Sequence, residues 1–173
     1  MNTFALEIFD DLGKQCTFYT VRWEDSELSE TDKFFKKKYE TGSTFERSIQ
    51  ELAMFISKKI GDEMGALEVF FRFENIAQAL PPAGTHKVEG IYINYGKFPL
   101  RLYCLRISES LVVLFNGSEK TEESAQGGKT SMVFHEANFF AKRILDALIQ
   151  KDIYITADQR EFRYYNGSNE III

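Results

Sequence analysis

The sequence has little cysteine and no long apolar run. Only two of its 173 residues are cysteines, Cys16 and Cys104, and they do not form a CxxC spacing. Because a disulfide framework needs more cysteines, both thiols are expected to be free and buried. The longest apolar stretches, such as residues 111–115, are far too short to span a bilayer. With no apolar secretion segment after a positive start, we expect a soluble cytoplasmic protein with no membrane partner.

Motifs for metals and nucleotides are also missing. His135 precedes Glu136 within a predicted helix, but no second histidine follows at a zinc-binding spacing. The letters GGKTS at 127–131 resemble the end of a phosphate-binding loop, yet position 123, where that loop requires glycine, is Glu123. We therefore expect neither a metal nor a cofactor.

The charge balance is acidic. Asp and Glu number 26 against 21 Lys and Arg, which gives a formal net charge of -5 and a pI near 5.2. This balance argues against a protein whose whole surface attracts nucleic acid, but it permits a local basic patch. A chain of 173 residues is long enough for one domain with a substantial core.

Hydrophobic periodicity divides the chain into strands and helices. Period-two alternation predicts strands, and apolar residues three and four apart predict helices. The predicted order is a hairpin within 1–25, helices over 26–40 and 43–61, strands over 66–74, 87–95, 98–107 and 111–115, a helix over 131–151, and a tail hairpin around an Asn-Gly turn. We predict one α+β domain over 1–173 with an antiparallel sheet, 1–25 being an N-terminal hairpin extension and 131–173 a C-terminal helix and tail.

The segment FPLRLYCLRISESLVVLFNGSEKT is the most informative in the chain. If its first half is a regular strand, alternation places Arg101 and Tyr103 on one face and Arg106 on the other. Three cations and no acid lie between Lys97 and residue 107, and such a positive island suits a phosphate backbone. The alternative for Arg101 is a salt bridge to a glutamate on a neighbouring strand.

The succession LRLYCLRI, LVVLF and NGSEKT resembles the C-terminal half of the RelE/ParE toxin superfamily, near its HigB and phage Gp49-like branches. The resemblance covers residues 90–121, and the two preceding helices fit the α-hairpin of that family. It implies a RelE-like twisted antiparallel sheet with an α-hairpin. The N-terminal hairpin and the enlarged C-terminal helix and hairpin would be additions to that fold.

The resemblance also implies a function. Ribonucleolytic members are toxins of type II toxin–antitoxin systems that cleave mRNA on the translating ribosome without a metal. Carried over by position, Arg101 would bind the scissile phosphate and Lys120 would be the basic residue after the last strand, while Tyr103 would stack or transfer a proton. Lys97, together with Arg101, would bind RNA. The implied partners are mRNA with the ribosome and a cognate antitoxin with a helix-turn-helix.

Departures from the family pattern leave alternatives open. Lys120 is followed by Thr121, Glu122 and Glu123, so the pair of basic residues that is usual in the family is reduced to Lys120 alone. A catalytically inactive RelE-fold protein, which assembles into a homo-oligomer through its apolar C-terminal tail at 170–173, is one alternative. A gyrase inhibitor of the ParE type is another, because the superfamily supports several activities on one fold.

Overall fold

The structure is a computed structural model and describes residues 3–40, 43–120 and 129–173. Its helices are α1 (Glu30–Glu40), α2 (Ser43–Met54), a π-helix (Phe55–Met64), a short 3-10 helix (Glu68–Phe70) and α3 (Lys129–Ile149). Its strands are β1 (Phe4–Asp10), β2 (Thr17–Trp23), β3 (Arg72–Phe73), β4 (Gln78–Leu80), β5 (Thr85–Val88), β6 (Ile91–Asn94), β7 (Leu100–Ser108), β8 (Leu111–Glu119), β9 (Ile153–Ile155), β10 (Phe162–Tyr164) and β11 (Ile171–Ile172). The predicted α+β class is confirmed.

A seven-stranded sheet in the order β11-β1-β2-β8-β7-β4-β3 organises the molecule. The β1–β2 hairpin forms as predicted, and it joins this sheet through the pairing of β2 with β8. The prediction of a wholly antiparallel sheet is wrong at one pairing, because β2 runs parallel to β8. A parallel pairing needs a long crossover connection, and α1 with α2 lies in the segment that connects these strands.

Each face of the sheet carries its own hydrophobic core. On one face, here called the α3 face, the apolar stripe of α3, which includes Phe134 and Phe140, packs with Phe4 and Tyr103. The opposite face holds α1, α2 and the π-helix, where Phe55 packs in the core. The two faces follow directly from side-chain alternation along the central strands.

Three predicted segments differ from the structure. Residues 66–74 form the 3-10 helix and the two-residue β3 instead of one strand. Residues 87–95 lie mostly in the β5–β6 hairpin, which turns at Glu89 and Gly90 with φ of 50° and 78°, the left-handed pair that a tight two-residue hairpin turn requires. The tail hairpin is also wrong, because β10 pairs with β9 and β11 pairs with β1.

The position of the C-terminal strand is relevant to the hypothesis that the apolar tail assembles the protein into a homo-oligomer. Ile171 lies opposite Leu6 of β1 and is only 2% exposed. Much of the apolar tail is therefore already paired within the chain. Both cysteines are free and buried, as predicted. Among residues 3–40, 43–120 and 129–173, no helix combines the length and the apolar character needed to cross a membrane.

Candidate functional site

Alternation along β7 separates the two arginines as predicted. Tyr103 and Leu105 pack on the α3 face, whereas Leu102 and Cys104 pack on the opposite face. Arg101 therefore shares a face with Tyr103. Arg106 points to the other side of the sheet.

Arg106 has a structural role. Its Nε donates to the backbone carbonyl of Ala66 at 2.6 Å, and a second guanidinium nitrogen lies 3.7 Å from a carboxylate oxygen of Glu68. These contacts hold the start of the 3-10 helix against β7. The guanidinium of Arg106 is thus engaged by the fold itself.

Arg101 is placed differently. It is 7% exposed, and its Nη1 donates to the carbonyls of Phe98 at 3.2 Å and Leu100 at 2.9 Å. In the part of the chain that the structure describes, Arg101 forms no ion pair with a carboxylate. Burial lowers the pKa of its guanidinium, as does Arg72, while Glu74 raises it. Because arginine stays protonated in proteins, the described residues hold a nearly buried positive charge that is near Glu74 but has no carboxylate within salt-bridge distance.

The neighbours of Arg101 include polar atoms without a hydrogen-bond partner, although Nε of Arg72 donates to the carbonyl of Pro81 at 2.7 Å. Three buried polar side-chain atoms without a hydrogen bond occur among the described residues: Arg72 Nη2, the Tyr103 hydroxyl and the Ser118 hydroxyl. Strand register brings them together, since Arg72 pairs with Ala79, Ala79 with Tyr103, and Arg101 with Ser118. Paired residues share a face, so these side chains all lie on the α3 face.

We call Arg72, Arg101, Tyr103 and Ser118 the basic cluster. Its two guanidinium groups carry positive charge. The hydroxyl groups of Tyr103 and Ser118 are close enough for Ser118 to lower the pKa of Tyr103, although neither has a partner of good hydrogen-bond geometry. Nearly all buried polar atoms in native proteins have partners, so the concentration of unpaired ones in one place makes this cluster the candidate site. Two cations with two hydroxyl donors suit an oxyanion such as a phosphate group.

Tyr103 is the most deeply placed member of this cluster. Its side chain is fully buried, and its ring packs edge-on against Phe134 of α3 at 5.7 Å between centroids. Burial raises the pKa of its hydroxyl, and Glu74 adds to the effect. In this conformation the ring of Tyr103 is not accessible to a nucleobase. Only the hydroxyl of Tyr103 is directed toward the other members of the basic cluster.

The two predicted lysines lie at the surface near the same end of the β7–β8 pair. Lys97 and Lys120 are exposed, and the backbone N–H of Lys120 donates to the carbonyl of Pro99 at 2.6 Å. The structure thus brings all four predicted site residues to one end of two strands. Lys97 and Lys120 are solvent-exposed, whereas Arg101 and Tyr103 are buried beneath the surface.

Two cluster members were missed from the sequence. Ser118 lies within the motif NGSEKT, and its pairing with Arg101 follows from the register of the β7–β8 hairpin. Arg72 lies in a segment whose strand is only two residues long, so its register against β4 had no visible signal.

The described residues contain no group of three or more His, Cys, Asp and Glu side chains placed to hold a metal. Comparison with protein-family models, with curated proteins and with solved structures finds no match for the chain. The basic cluster and its surroundings are therefore the features of the chain that indicate a function.

Proposed function

We propose that the chain is the toxin of a type II toxin–antitoxin pair, a RelE/ParE-like endoribonuclease that cleaves mRNA on the translating ribosome without a metal. The observation that supports this proposal is the basic cluster: a nearly buried Arg101 without a carboxylate partner, beside three unpaired polar atoms. The positive charge of these donors complements the negative charge that develops on a phosphodiester while it is being cleaved.

The chemistry follows from those donors. The ribose 2′-oxygen attacks the adjacent phosphorus and the bond from phosphorus to the 5′-oxygen breaks, which leaves a cyclic phosphate and a 5′-hydroxyl. Arg101 and Arg72 stabilise the additional negative charge on the phosphoryl oxygens. In this proposal the protonated hydroxyl of Tyr103 donates a proton to the leaving 5′-oxygen and the 2′-hydroxyl gives up its proton to water, while Lys97 and Lys120 hold neighbouring backbone phosphates.

The proposal has a structural requirement. Arg101 is 7% exposed and Tyr103 is 0% exposed, so a phosphate reaches the cluster only if the groups above it move. Phe134 of α3 is one such group, because it packs directly on Tyr103. In this proposal a protein antitoxin with a helix-turn-helix neutralises the toxin.

Induced expression in a bacterial host tests the proposal. We expect the wild type to arrest growth and to cut translated mRNA, and Arg101→Ala to reduce cleavage about 100-fold, the usual cost of removing one transition-state donor. The matched control is Arg47→Ala, because the Arg47 side chain is 91% exposed and lies on α2, outside the cluster. If the wild type neither slows growth nor cleaves mRNA, the ribonuclease proposal is wrong.

The burial of the cluster favours a second candidate, a catalytically inactive RelE-fold protein that acts by binding. In that case purified wild type and Arg101→Ala would both leave mRNA intact in a ribosome assay, and growth would continue. A small reading frame for a helix-turn-helix protein beside this one would favour the toxin. Inhibition of DNA supercoiling by the purified chain, with intact mRNA, would instead identify the ParE-type activity.

A further inference from the structure

A lysine, a glutamate and an asparagine form a hydrogen-bonded chain where α1 packs on β8. Nζ of Lys33 donates to Oε2 of Glu30 at 2.7 Å, and Nδ2 of Asn116 donates to Oε1 of the same carboxylate at 3.4 Å. The two oxygens of one carboxylate therefore hold an amine and a side-chain amide side by side. We call Lys33, Glu30 and Asn116 the Lys–Glu–Asn triad.

The packing of α1 on β8 fixes the position of this triad. The hydroxyl of Thr31 donates to the carbonyl of Phe115 at 3.0 Å. A Cβ at Gly117 would lie 2.7 Å from the ring of Phe34, so the helix and the strand also approach closely there. Each of these four residues is a neighbour in sequence of a triad member. The two contacts therefore hold the triad in register between α1 and β8.

The side-chain amide of Asn116 has both of its polar atoms engaged. Its Nδ2 is directed to Glu30, and its Oδ1 accepts from the backbone N–H of Gly117 at 2.7 Å. Negative charge develops on Oδ1 when a nucleophile adds to Cγ, and a backbone N–H at this distance stabilises such an oxyanion. The nitrogen that would leave faces a carboxyl group that can supply its proton.

Glu30 is placed to move a proton between the other two members of the triad. The side chain of Glu30 is 4% exposed, so its carboxylate is shielded from water, whereas the side chain of Lys33 is 37% exposed and less confined. A general base must lie within about 2.6–3.2 Å of the group that gives up the proton. The bond of 2.7 Å from Lys33 to Glu30 meets this requirement. An amine beside a base is the arrangement that activates a lysine as a nucleophile.

We propose that Lys33 and Asn116 form an isopeptide bond between α1 and β8, with Glu30 carrying the proton. Lys33 gives one proton to Glu30, and its Nζ turns from the carboxylate to Cγ of Asn116 and forms a carbon–nitrogen bond. The bond from Cγ to Nδ2 breaks as Glu30 passes its proton to the leaving nitrogen. A second amine proton leaves with the ammonia as ammonium, so the reaction consumes no oxidant, reductant or co-reactant.

Such a bridge has a structural consequence. α1 lies in the crossover that connects the parallel strands β2 and β8, and a bond from residue 33 to residue 116 fixes that crossover to the centre of the sheet. A covalent cross-link stabilises a protein mainly by restricting its unfolded chain, and the effect grows with the length of the closed loop. The bridge is independent of the proposed ribonuclease activity.

Intact-mass spectrometry of the purified wild type tests the proposal without any variant. After incubation of the folded protein at neutral pH, we expect the main species to weigh one ammonia less than the sequence predicts. Digestion should then give a branched peptide in which residues 33 and 116 are joined. A wild type that keeps its full mass, or that loses ammonia without a branched peptide, would overturn the proposal.

Matched variants assign the roles within the triad. Lys33→Arg keeps a positive charge beside Glu30 but stays protonated, so it should give no branched peptide. Glu30→Gln should also abolish the branched peptide, because the amide cannot carry the proton; a wild-type yield in this variant would refute the role of Glu30. Lys142→Arg, in an exposed ion pair with Asp146 on α3, is the control and should form the bridge in full.

A competing loss of ammonia is distinguished by the same variants. Asn116 and Asn166 each precede a glycine, and cyclisation of either side chain onto the glycine nitrogen also releases ammonia. That product gives linear peptides and does not require Lys33. A loss of ammonia that is equal in wild type and Lys33→Arg would therefore identify cyclisation and exclude the bridge.

Discussion

The basic cluster and the two glutamates Glu30 and Glu136 differ in their hydrogen bonding. In the basic cluster three polar atoms, on Arg72, Tyr103 and Ser118, lack partners among the described residues. By contrast, Glu30 accepts from two donors and Glu136 accepts from Trp23. A satisfied buried network rigidifies a fold, whereas an unsatisfied one lowers its stability. The difference indicates that the two glutamates serve structure, and it makes the basic cluster the candidate for binding.

The same contrast exists within β7. Arg106 has its guanidinium bound to a backbone carbonyl and near a carboxylate. Within the described part of the chain, the hydrogen bonds of Arg101 go to carbonyls of its own segment. An arginine whose donors are occupied by the fold has little capacity for a ligand. A structural arginine is therefore distinguished from a candidate binding arginine by whether the fold occupies its hydrogen-bond donors, more than by its position in the sequence.

The largest expected effect lies in the hydrophobic layer under α3. Phe140 is 1% exposed and contacts the rings of Phe4 at 4.9 Å and Trp23 at 4.8 Å. Phe140→Ala should lower the free energy of unfolding by about 3–5 kcal/mol, because it leaves a cavity beside Trp23. Urea unfolding measures this. Phe139→Ala, at a side chain 37% exposed, is the matched control and should cost roughly 1–2 kcal/mol; equal losses would contradict the description of this core.

The next effect concerns the strand that carries Ser118. A Cβ at Gly117 would lie 2.2 Å from the carbonyl oxygen of Arg101 and 2.7 Å from the ring of Phe34. Gly117→Ala should therefore destabilise the protein by roughly 1–3 kcal/mol and push β8 away from β7. Chemical denaturation gives the magnitude. Stability equal to wild type would mean that the two strands do not approach this closely.

An effect no larger than that of Gly117→Ala separates satisfied from unsatisfied hydroxyl groups. Thr31, at the start of α1, is fully buried; its Oγ1 donates to the carbonyl of Phe115 at 3.0 Å and lies 2.6 Å from the hydroxyl of Thr20. Thr31→Val keeps the shape but leaves those oxygens without a partner, so it should cost about 1–3 kcal/mol. Thermal unfolding of Thr31→Val and of Thr31→Ser, which retains the hydroxyl, would separate the hydrogen bond from the lost methyl contact. A valine variant as stable as wild type would contradict the assignment.

The smallest expected effect is at Tyr103. Its hydroxyl has no partner that satisfies hydrogen-bond geometry, so Tyr103→Phe should change the free energy of unfolding by less than about 0.5 kcal/mol or increase it. If the cluster binds phosphate, the same variant should weaken the binding of inorganic phosphate measured by calorimetry. A loss of stability above about 1 kcal/mol would show that the hydroxyl is engaged within the fold.

The sequence predicts those parts of the site that depend on local regularity. Alternation along β7 correctly placed Arg101 with Tyr103 and Arg106 on the other face, because the side chains of residues 102–105 alternate regularly. The predicted β8 strand and α3 helix are likewise confirmed. These elements have strong periodicity and few competing conformations.

The remaining parts depend on contacts between distant residues. The segment at 66–74 alternates like a strand, but the N–H of Ala66 is fixed to the carbonyl of Glu109 at 2.7 Å and its carbonyl accepts from Arg106. These tertiary bonds override the local pattern. The contacts of Glu30 with Asn116 and of Glu136 with Trp23 were also missed, because each glutamate lies in an amphipathic helix where a charged side chain is normally solvated.

The parallel pairing of β2 with β8 has a consequence for folding. Residues 17–20 pair with residues 111–114, so during synthesis β2 leaves the ribosome long before its partner strand exists. Until β8 has been synthesised, the free edge of β2 in the β1–β2 hairpin presents unpaired backbone groups that can pair with another strand. Pairs this far apart in sequence form slowly. We therefore expect refolding to be limited by the arrival of β8 at the centre of the sheet, and aggregation to be greatest when synthesis or refolding stops before that strand is in place.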